Sequence, residues 1–367
     1  MINIRHVSGL VLASVLSVTT SICRAETKAV GSVLTTPAMQ IVAPSRAVFI
    51  DLARAADRLI AVGERGLIVL SDDNGHSWRQ VPVPVSVSLS SVYFVDAQRG
   101  WAVGHSGTVL ATIDGGEHWA VQLSGLQAAQ IELQAAQAEK VTASDAEAAD
   151  MRLQNAERLI ADGPDKPFLA IRFSDANHGL VVGAYGMAFA TQDGGASWHS
   201  LMGRIENPSL VHLYAIAEKN NLCFLVGEQG YLARSIDNGQ SFKQLESPYE
   251  GSFFTAQVRD DGALLVAGLK GHAYLSSDDG DSFQRIAVSS PVSFSSSVRL
   301  ADGTLLLANQ AGGIFSSAAS HGAALQSVGK PLGLPVSSLL EAADKSFIAA
   351  GFAGLSRFAH PATDVSE

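Results

Sequence analysis

Short apolar runs cut by Gly and Asp recur along most of this chain, and they have the length and composition of β-strands. One stretch shows the pattern fully. Ser91-Val-Tyr-Phe-Val95, Trp101-Ala-Val103, Thr108-Val-Leu-Ala-Thr112 and His118 to Leu123 predict four short strands in succession. Their β-branched and aromatic residues suit a pleated, half-buried surface. No helical period runs through such a unit, which excludes the helix-pair repeats of similar length.

The unit repeats. Aligned on the first Gly of a Val-Gly-x-x-Gly turn, equivalent positions are Gly63, Gly104, Gly183, Gly227, Gly268, Asn309 and Gly351, at spacings of 41, 79, 44, 41, 41 and 42 residues. Four strands in about 40 residues is the mark of a β-propeller blade. The wide spacing equals one period plus an insertion. The seventh unit supplies three strands only, Ser337 to Leu340, Ser346 to Ala350 and Leu355 to Phe358, while Val33 to Val42 is left over near the start. The expected fold is all-β: a seven-bladed propeller over residues 26–367, closed by this N-terminal strand as the missing fourth.

The insertion, 123–166, breaks the pattern. Leu126, Ala129, Leu133 and Ala136 make one helical stripe, and Ala149, Leu153, Ala156 and Ile160 make another. Ser144-Asp-Ala-Glu147 reads as a capping box, and Gly163-Pro164 as a stop. These predict an α-helical hairpin between blades 2 and 3, whose stripes either pack on each other or dock a partner.

A second motif follows the first five of these turns: Ser71-Asp-Asp-Asn-Gly-His-Ser-Trp78, Thr112-Ile-Asp-Gly-Gly-Glu-His-Trp119, Thr191-Gln-Asp-Gly-Gly-Ala-Ser-Trp198, Ser235-Ile-Asp-Asn-Gly-Gln-Ser-Phe242 and Ser276-Ser-Asp-Asp-Gly-Asp-Ser-Phe283. This block resembles the Asp-box (BNR) repeat of sialidases and related propellers. Asp73, Asp114, Asp193, Asp237 and Asp278 are expected to accept turn N–H groups, and Trp78, Trp119 and Trp198 to fill space between blades. These turns join third to fourth strands at the outer rim, spread around the ring. Carboxylates so placed cannot converge on one substrate, and the reading for them is scaffold.

Function is expected on the other face. The Val-Gly-x-x-Gly turns join second to third strands, and their variable residues ring one end of the propeller. Glu64, Arg65, His105, Tyr185, Glu228, Lys270 and Phe352 are the candidates, because their chemistry varies where stability asks for no variation.

Composition narrows the partner. A formal charge of −10 and no Lys/Arg cluster argue against nucleic acid. No catalytic triad, zinc-ligand or phosphate-loop pattern is present, so no cofactor and no metal are expected. Arg5 and His6, the apolar run Val7 to Val18 and Cys23-Arg-Ala25 read as a cleavable leader over residues 1–25, implying a periplasmic or secreted protein. No segment after it is apolar enough to span a bilayer. Only Cys223 then remains, in the apolar run Leu222 to Val226, as a buried hydrophobe rather than a nucleophile.

Asp96-Ala-Gln-Arg-Gly-Trp-Ala-Val-Gly104 with Gly107-Thr-Val-Leu-Ala-Thr-Ile-Asp-Gly-Gly-Glu-His-Trp119, and Asp175-Ala-Asn-His-Gly-Leu-Val-Val-Gly183 in the next blade, are similar to the photosystem II stability/assembly factor family of seven-bladed propellers. The resemblance runs from about Arg46 to Phe358. It implies a non-enzymatic periplasmic or lumenal protein whose partner is an integral membrane or envelope protein that it helps to assemble or stabilise. The alternative is a sialidase-like glycan-binding protein or glycoside hydrolase. Against it, the chain lacks that family's Arg-Ile-Pro motif, and Arg65 is the one Arg among the turn pairs.

Overall fold

The computed structural model describes residues 32–359 apart from 289 and 318–323. The leader expected over residues 1–25 lies outside the described residues. Seven antiparallel sheets follow one another along the chain, each with its strands in sequence order. The first strand of each is innermost: Phe49–Ala55, Leu89–Phe94, Phe168–Phe173, Leu213–Lys219, Phe253–Val258, Phe294–Arg299 and Ser338–Glu341. All seven line one axial cavity of about 610 Å³. The core is a set of apolar clusters, most of them wedged between neighbouring sheets. Cys223 is buried in such a cluster, and burial pushes its thiol up.

Six sheets have four strands. The seventh has three among the described residues: Ser338–Glu341, Phe347–Gly351 and Gly354–Phe358. Val33 to Val42 therefore does not complete the last blade as expected. It runs along blade 1, where the Ala38 N–H donates to the Val83 carbonyl (3.0 Å) and the Ser86 N–H to the Val33 carbonyl (2.9 Å). Apolar packing explains the choice. Ala38 enters the cluster of Val81, Val83, Val85 and Val87, a row of buried valines on the link leaving blade 1. Blades 7 and 1 meet instead through side chains. Ser338 Oγ donates to Asp51 (2.9 Å), Arg357 Nε donates to the Asn74 carbonyl (3.0 Å), and Ile348 packs with Phe49 and Leu59.

The Asp-boxes share one hydrogen-bond scheme. The Ser or Thr hydroxyl donates to the Asp two residues on, at 2.6–2.8 Å. It also accepts the N–H of the Gly four residues on, at 2.7–3.0 Å. The same Asp oxygen accepts the N–H four residues beyond the Asp. Two successive left-handed residues are needed to wrap the carboxylate, and the first is always Asn, Gly or Asp, the types that tolerate φ > 0. Bonds from Ser77, Ser197 and Ser282 hold Asp73, Asp193 and Asp278 at about 2. At Asp114 and Asp237 burial pushes up, but equivalent bonds prevail and the result is again about 2.

A depressed carboxylate stabilises the fold above its unfolded pKa, and that contribution is lost as pH falls through its folded pKa. Melting temperature is therefore expected to hold from neutral pH down to about 5 and to fall steeply between about 4 and 2. A pH series of thermal melts checks this. Asp51 has the opposite sign. Burial in the channel wall pushes it up against bonds from the Val92 and Leu52 N–H groups and from Ser338 and Ser91, so protonation relieves it.

The insertion forms α1 (Gly125–Thr142) and α2 (Ala146–Asp162). Ser124 and Gln127 cap α1 reciprocally. The cap of α2 is Asp145, one residue after the expected Ser144, and its carboxylate accepts the Ala148 N–H at 3.0 Å. The buried faces also differ from the expected stripes. Leu126 is 57% exposed and Ile160 is exposed, while Ala128, Glu132 and Leu159 are buried with Ala129, Ala136, Ala149 and Ala156. The hairpin is not free-standing: α1 packs on the outer strand of blade 3, so its inward face is set by the propeller as well as by α2. No described helix is long and apolar enough to cross a membrane.

Candidate functional site

The second-to-third-strand turns of blades 1 to 5 are single 3₁₀ turns, and these and the turn of blade 6 are locked to the neighbouring link. The Glu64, His105, Ala184, Glu228, Leu269 and Gln310 N–H groups each donate to a carbonyl just before the inner strand, at 2.8–3.2 Å. This approach explains the first Gly, since a Cβ on Gly63 would lie 2.1 Å from the Val48 carbonyl oxygen.

The second variable residue is held left-handed: Arg65, Ser106, Tyr185, Gln229 and Lys270 have φ of 54–57°. That conformation costs a residue with a Cβ about 1–2 kcal/mol, which Gly would avoid. Five chemically different side chains stand there instead. Tyr185 is 53% exposed, and Arg65, Gln229 and Lys270 are exposed too. Glu64, His105 and Phe352 are likewise exposed, Phe352 at 71%, while Glu228 is half-buried.

Two of these candidates come together. Tyr185 and Glu228 meet around His212, a residue that sequence patterns did not single out. The Tyr185 and His212 rings are 5.0 Å apart. Glu228 accepts the His212 N–H at 3.3 Å and lies 3.7 Å from its Nδ1. The rings then continue inward, edge to face, from His212 to Tyr214 at 6.2 Å and from Tyr214 to Phe254 at 5.4 Å. Lys166, at the end of the insertion, places its Nζ 5.2 Å from the Tyr185 ring centre and bonds Asp162 and Asp165. The result is an aromatic lane from the turn of blade 3 to the axial mouth at blades 4 and 5. Lys270 stands apart from it, on the turn beside His272, which stacks on Tyr249 at 4.2 Å. Glu64, Arg65, His105 and Phe352 sit on turns of other blades, outside the lane.

A β-bulge positions the lane. The register slips at the start of the inner strand in six blades, leaving Ile50, Ser90, Leu169, Tyr214, Phe254 and Ser295 as the extra residues. A bulge re-aims a side chain, and five of the six, all but Phe254, line the axial cavity. The sequence signal was a repeated doublet, one fully buried residue followed by the bulged one, as in Phe253-Phe254. Deeper in the cavity Asp51 accepts bonds from Ser91 and Ser338 and from two backbone N–H groups. Four donors saturate this carboxylate and make it a fastener between blades 7, 1 and 2.

Residues 70–147 and 152–324 match the family described as photosynthesis system II assembly factor YCF48. The chain belongs to this family. Curated members align over short stretches. The photosystem II assembly lipoprotein Ycf48 of Synechococcus sp. (strain CC9902) is 31% identical over 77 residues, 21% of this chain and 23% of its own length. The chloroplastic photosystem II stability/assembly factor HCF136 of Cyanidioschyzon merolae is 47% identical over 47 residues, 12% of this chain and 11% of that protein. The chain thus matches less than a quarter of either relative. Solved YCF48 structures extend the likeness to the whole fold. One, bound to a D1 peptide, has a TM-score of 0.61 at 16% identity and covers 88% of this chain and 99% of that one. Another, from Cyanidioschyzon merolae, has a TM-score of 0.58 at 12% identity, with 88% and 98% covered. The WD40 propeller domain of Doa1 is similar to the same degree, at 0.59, 12% identity and 88% and 95% coverage.

Proposed function

We propose that this chain is a non-enzymatic assembly or stability factor of the cell envelope that holds an extended segment of an integral membrane protein on its turn face. The observation that carries the reading is the aromatic lane Tyr185–His212–Tyr214–Phe254, which leads into the axial mouth across a face of strained, outward-pointing turns. One exposed ring, Tyr185, and three half-buried ones on rigid backbone give contact area with little entropy to lose, the character of interface anchors. A YCF48 propeller of the same fold holds a D1 peptide, which supports a polypeptide ligand here. The leader pattern and a relative named as a lipoprotein support a periplasmic or secreted location.

Tyr185→Ala and Tyr214→Ala are each expected to weaken partner binding by about tenfold or more without lowering the melting temperature. Quantitative co-purification of the tagged chain with detergent-solubilised envelope proteins, wild type against each variant, reads the effect. Equal recovery of the same membrane proteins from all three would sink the proposal. Release of sugar from a sialoside by the purified chain would replace it with an enzymatic reading.

A further inference from the structure

Five Asp-boxes share one backbone geometry, and at four of them a side chain of the preceding blade completes it. The acceptor is the carbonyl of the first left-handed residue after the Asp-box carboxylate. Arg357 of blade 7 donates to the Asn74 carbonyl (3.0 Å), Arg58 of blade 1 to that of Gly115 (3.1 Å), Trp101 of blade 2 to that of Gly194 (3.2 Å) and Arg234 of blade 4 to that of Asp279 (2.8 Å). All four donors are planar N–H groups, and three are guanidinium groups. Each of those three also pairs with a carboxylate: Arg357 with Asp344, Arg58 with Asp72 and Glu117, and Arg234 with Asp281.

The fifth junction, between blades 3 and 4, lacks its donor. Leu180 stands where blade 2 has Trp101, each three residues before the turn Gly. Ala190 stands where blades 4 and 7 have Arg234 and Arg357, each paired with the residue three before that Gly. His178, in the place of Arg58, is turned to Asp175, with its Nδ1 2.8 Å from the carboxylate. Among the described residues no side chain donates to the Asn238 carbonyl. A cavity of about 390 Å³ opens there, lined by Leu180, Ala190, Glu218, Leu222, Asn238 and Gln240. This is many times a water molecule's share of about 30 Å³. Glu218 takes the position that Phe173 has in blade 3. Arg172 bonds it through Oε2 at 2.9 Å, which leaves Oε1 to accept.

We propose that this junction binds a guanidinium group on a short apolar stem, carried either by a free guanidino compound or by an arginine side chain of a partner. The group donates to the Asn238 carbonyl and to Glu218, as Arg58, Arg234 and Arg357 each donate to a carbonyl and a carboxylate at their own junctions. Its rigid fork of N–H donors suits such a pair of acceptors. Its methylenes lie along Leu180 and Leu222, as charged side chains bury their stems on apolar surface. This site, at the Asp-box end of the blades, stands independently of the turn-face reading.

The test is calorimetric titration of the full chain with Nα-acetylarginine amide, joined to hydrogen exchange across residues 237–241. Saturable binding that slows exchange there is expected, with at least about tenfold weaker binding of Nα-acetylcitrulline amide, which keeps the shape and lacks the charge. Ala190→Arg supplies the missing donor from the chain itself, and Leu180→Trp fills the space as Trp101 does. Each should weaken binding at least about tenfold in a chain that melts no lower than wild type. Tighter binding of a capped Gly-Gly-Arg-Gly-Gly peptide than of agmatine assigns the source to a polypeptide, and the reverse to a free guanidino compound. Three results overturn the proposal: no saturable binding of the arginine probe, equal binding of the citrulline probe, or undiminished binding by a folded Ala190→Arg or Leu180→Trp chain.

Discussion

Arg152→Met is expected to destabilise the helical hairpin and its seat on blade 3 by about 3–5 kcal/mol. Glu132 is 1% exposed between α1 and the propeller. Arg152, from α2, meets it with two parallel bonds of 2.9 Å, and Ser200 Oγ of blade 3 donates to the same carboxylate. Arg152 also pairs with Glu139, one α-helical face along α1. Removing the guanidinium strands a buried charge, whereas removing both charges does not. The double variant Glu132→Leu with Arg152→Met should therefore recover most of the loss. Urea unfolding, with hydrogen exchange across residues 125–162, separates the two cases. If the double variant is as unstable as the single one, the bond network is not what fastens the hairpin.

Trp101→Ala should have an effect of similar size, about 3–5 kcal/mol. The indole is buried between blades 2 and 3, stacked on Phe173 at 3.5 Å between ring centres and nearly parallel to it. Its Nε1 donates to the Gly194 carbonyl in the Asp-box of blade 3 at 3.2 Å. Phe173 in turn lies flat over Gly179, where a Cβ would meet the ring at 2.3 Å. One truncation thus opens a cavity, removes a ring stack and takes one of two donors from the Gly194 carbonyl, which Gln122 Nε2 still bonds at 3.0 Å. Trp101→Phe keeps most of the packing and should cost much less. A urea midpoint for Trp101→Ala near wild type would show that blades 2 and 3 are held by other contacts.

The repeat made the blades legible because each feature has a local cause. A close approach favours Gly at position 63 and at every equivalent but Asn309, and two left-handed residues demand the Asn, Gly or Asp after each Asp-box carboxylate. Features set by non-local contacts were not legible. The apolar N-terminal segment fits a strand equally well on blade 7 or blade 1, and only the buried valines beside Ala38 decide between them. The stripe of α1 is turned because the helix packs on two partners, one of which lies far along the chain at Ser200. At the turn face, the turns and Tyr185 followed from the motif. His212, Tyr214 and Phe254 did not, because a bulge shifts the inner strand out of simple alternation.

Site-specific photo-crosslinking in living cells tests the turn-face assignment most directly. Benzophenone-bearing residues placed at Tyr185 and at Ile236 compare the aromatic lane with a more exposed Asp-box tip at the other end of the third strand. The account predicts that the Tyr185 probe captures a segment of an integral membrane protein, identified by mass spectrometry, and that the Ile236 probe does not. Capture of that protein from Ile236 but not from Tyr185 would contradict it.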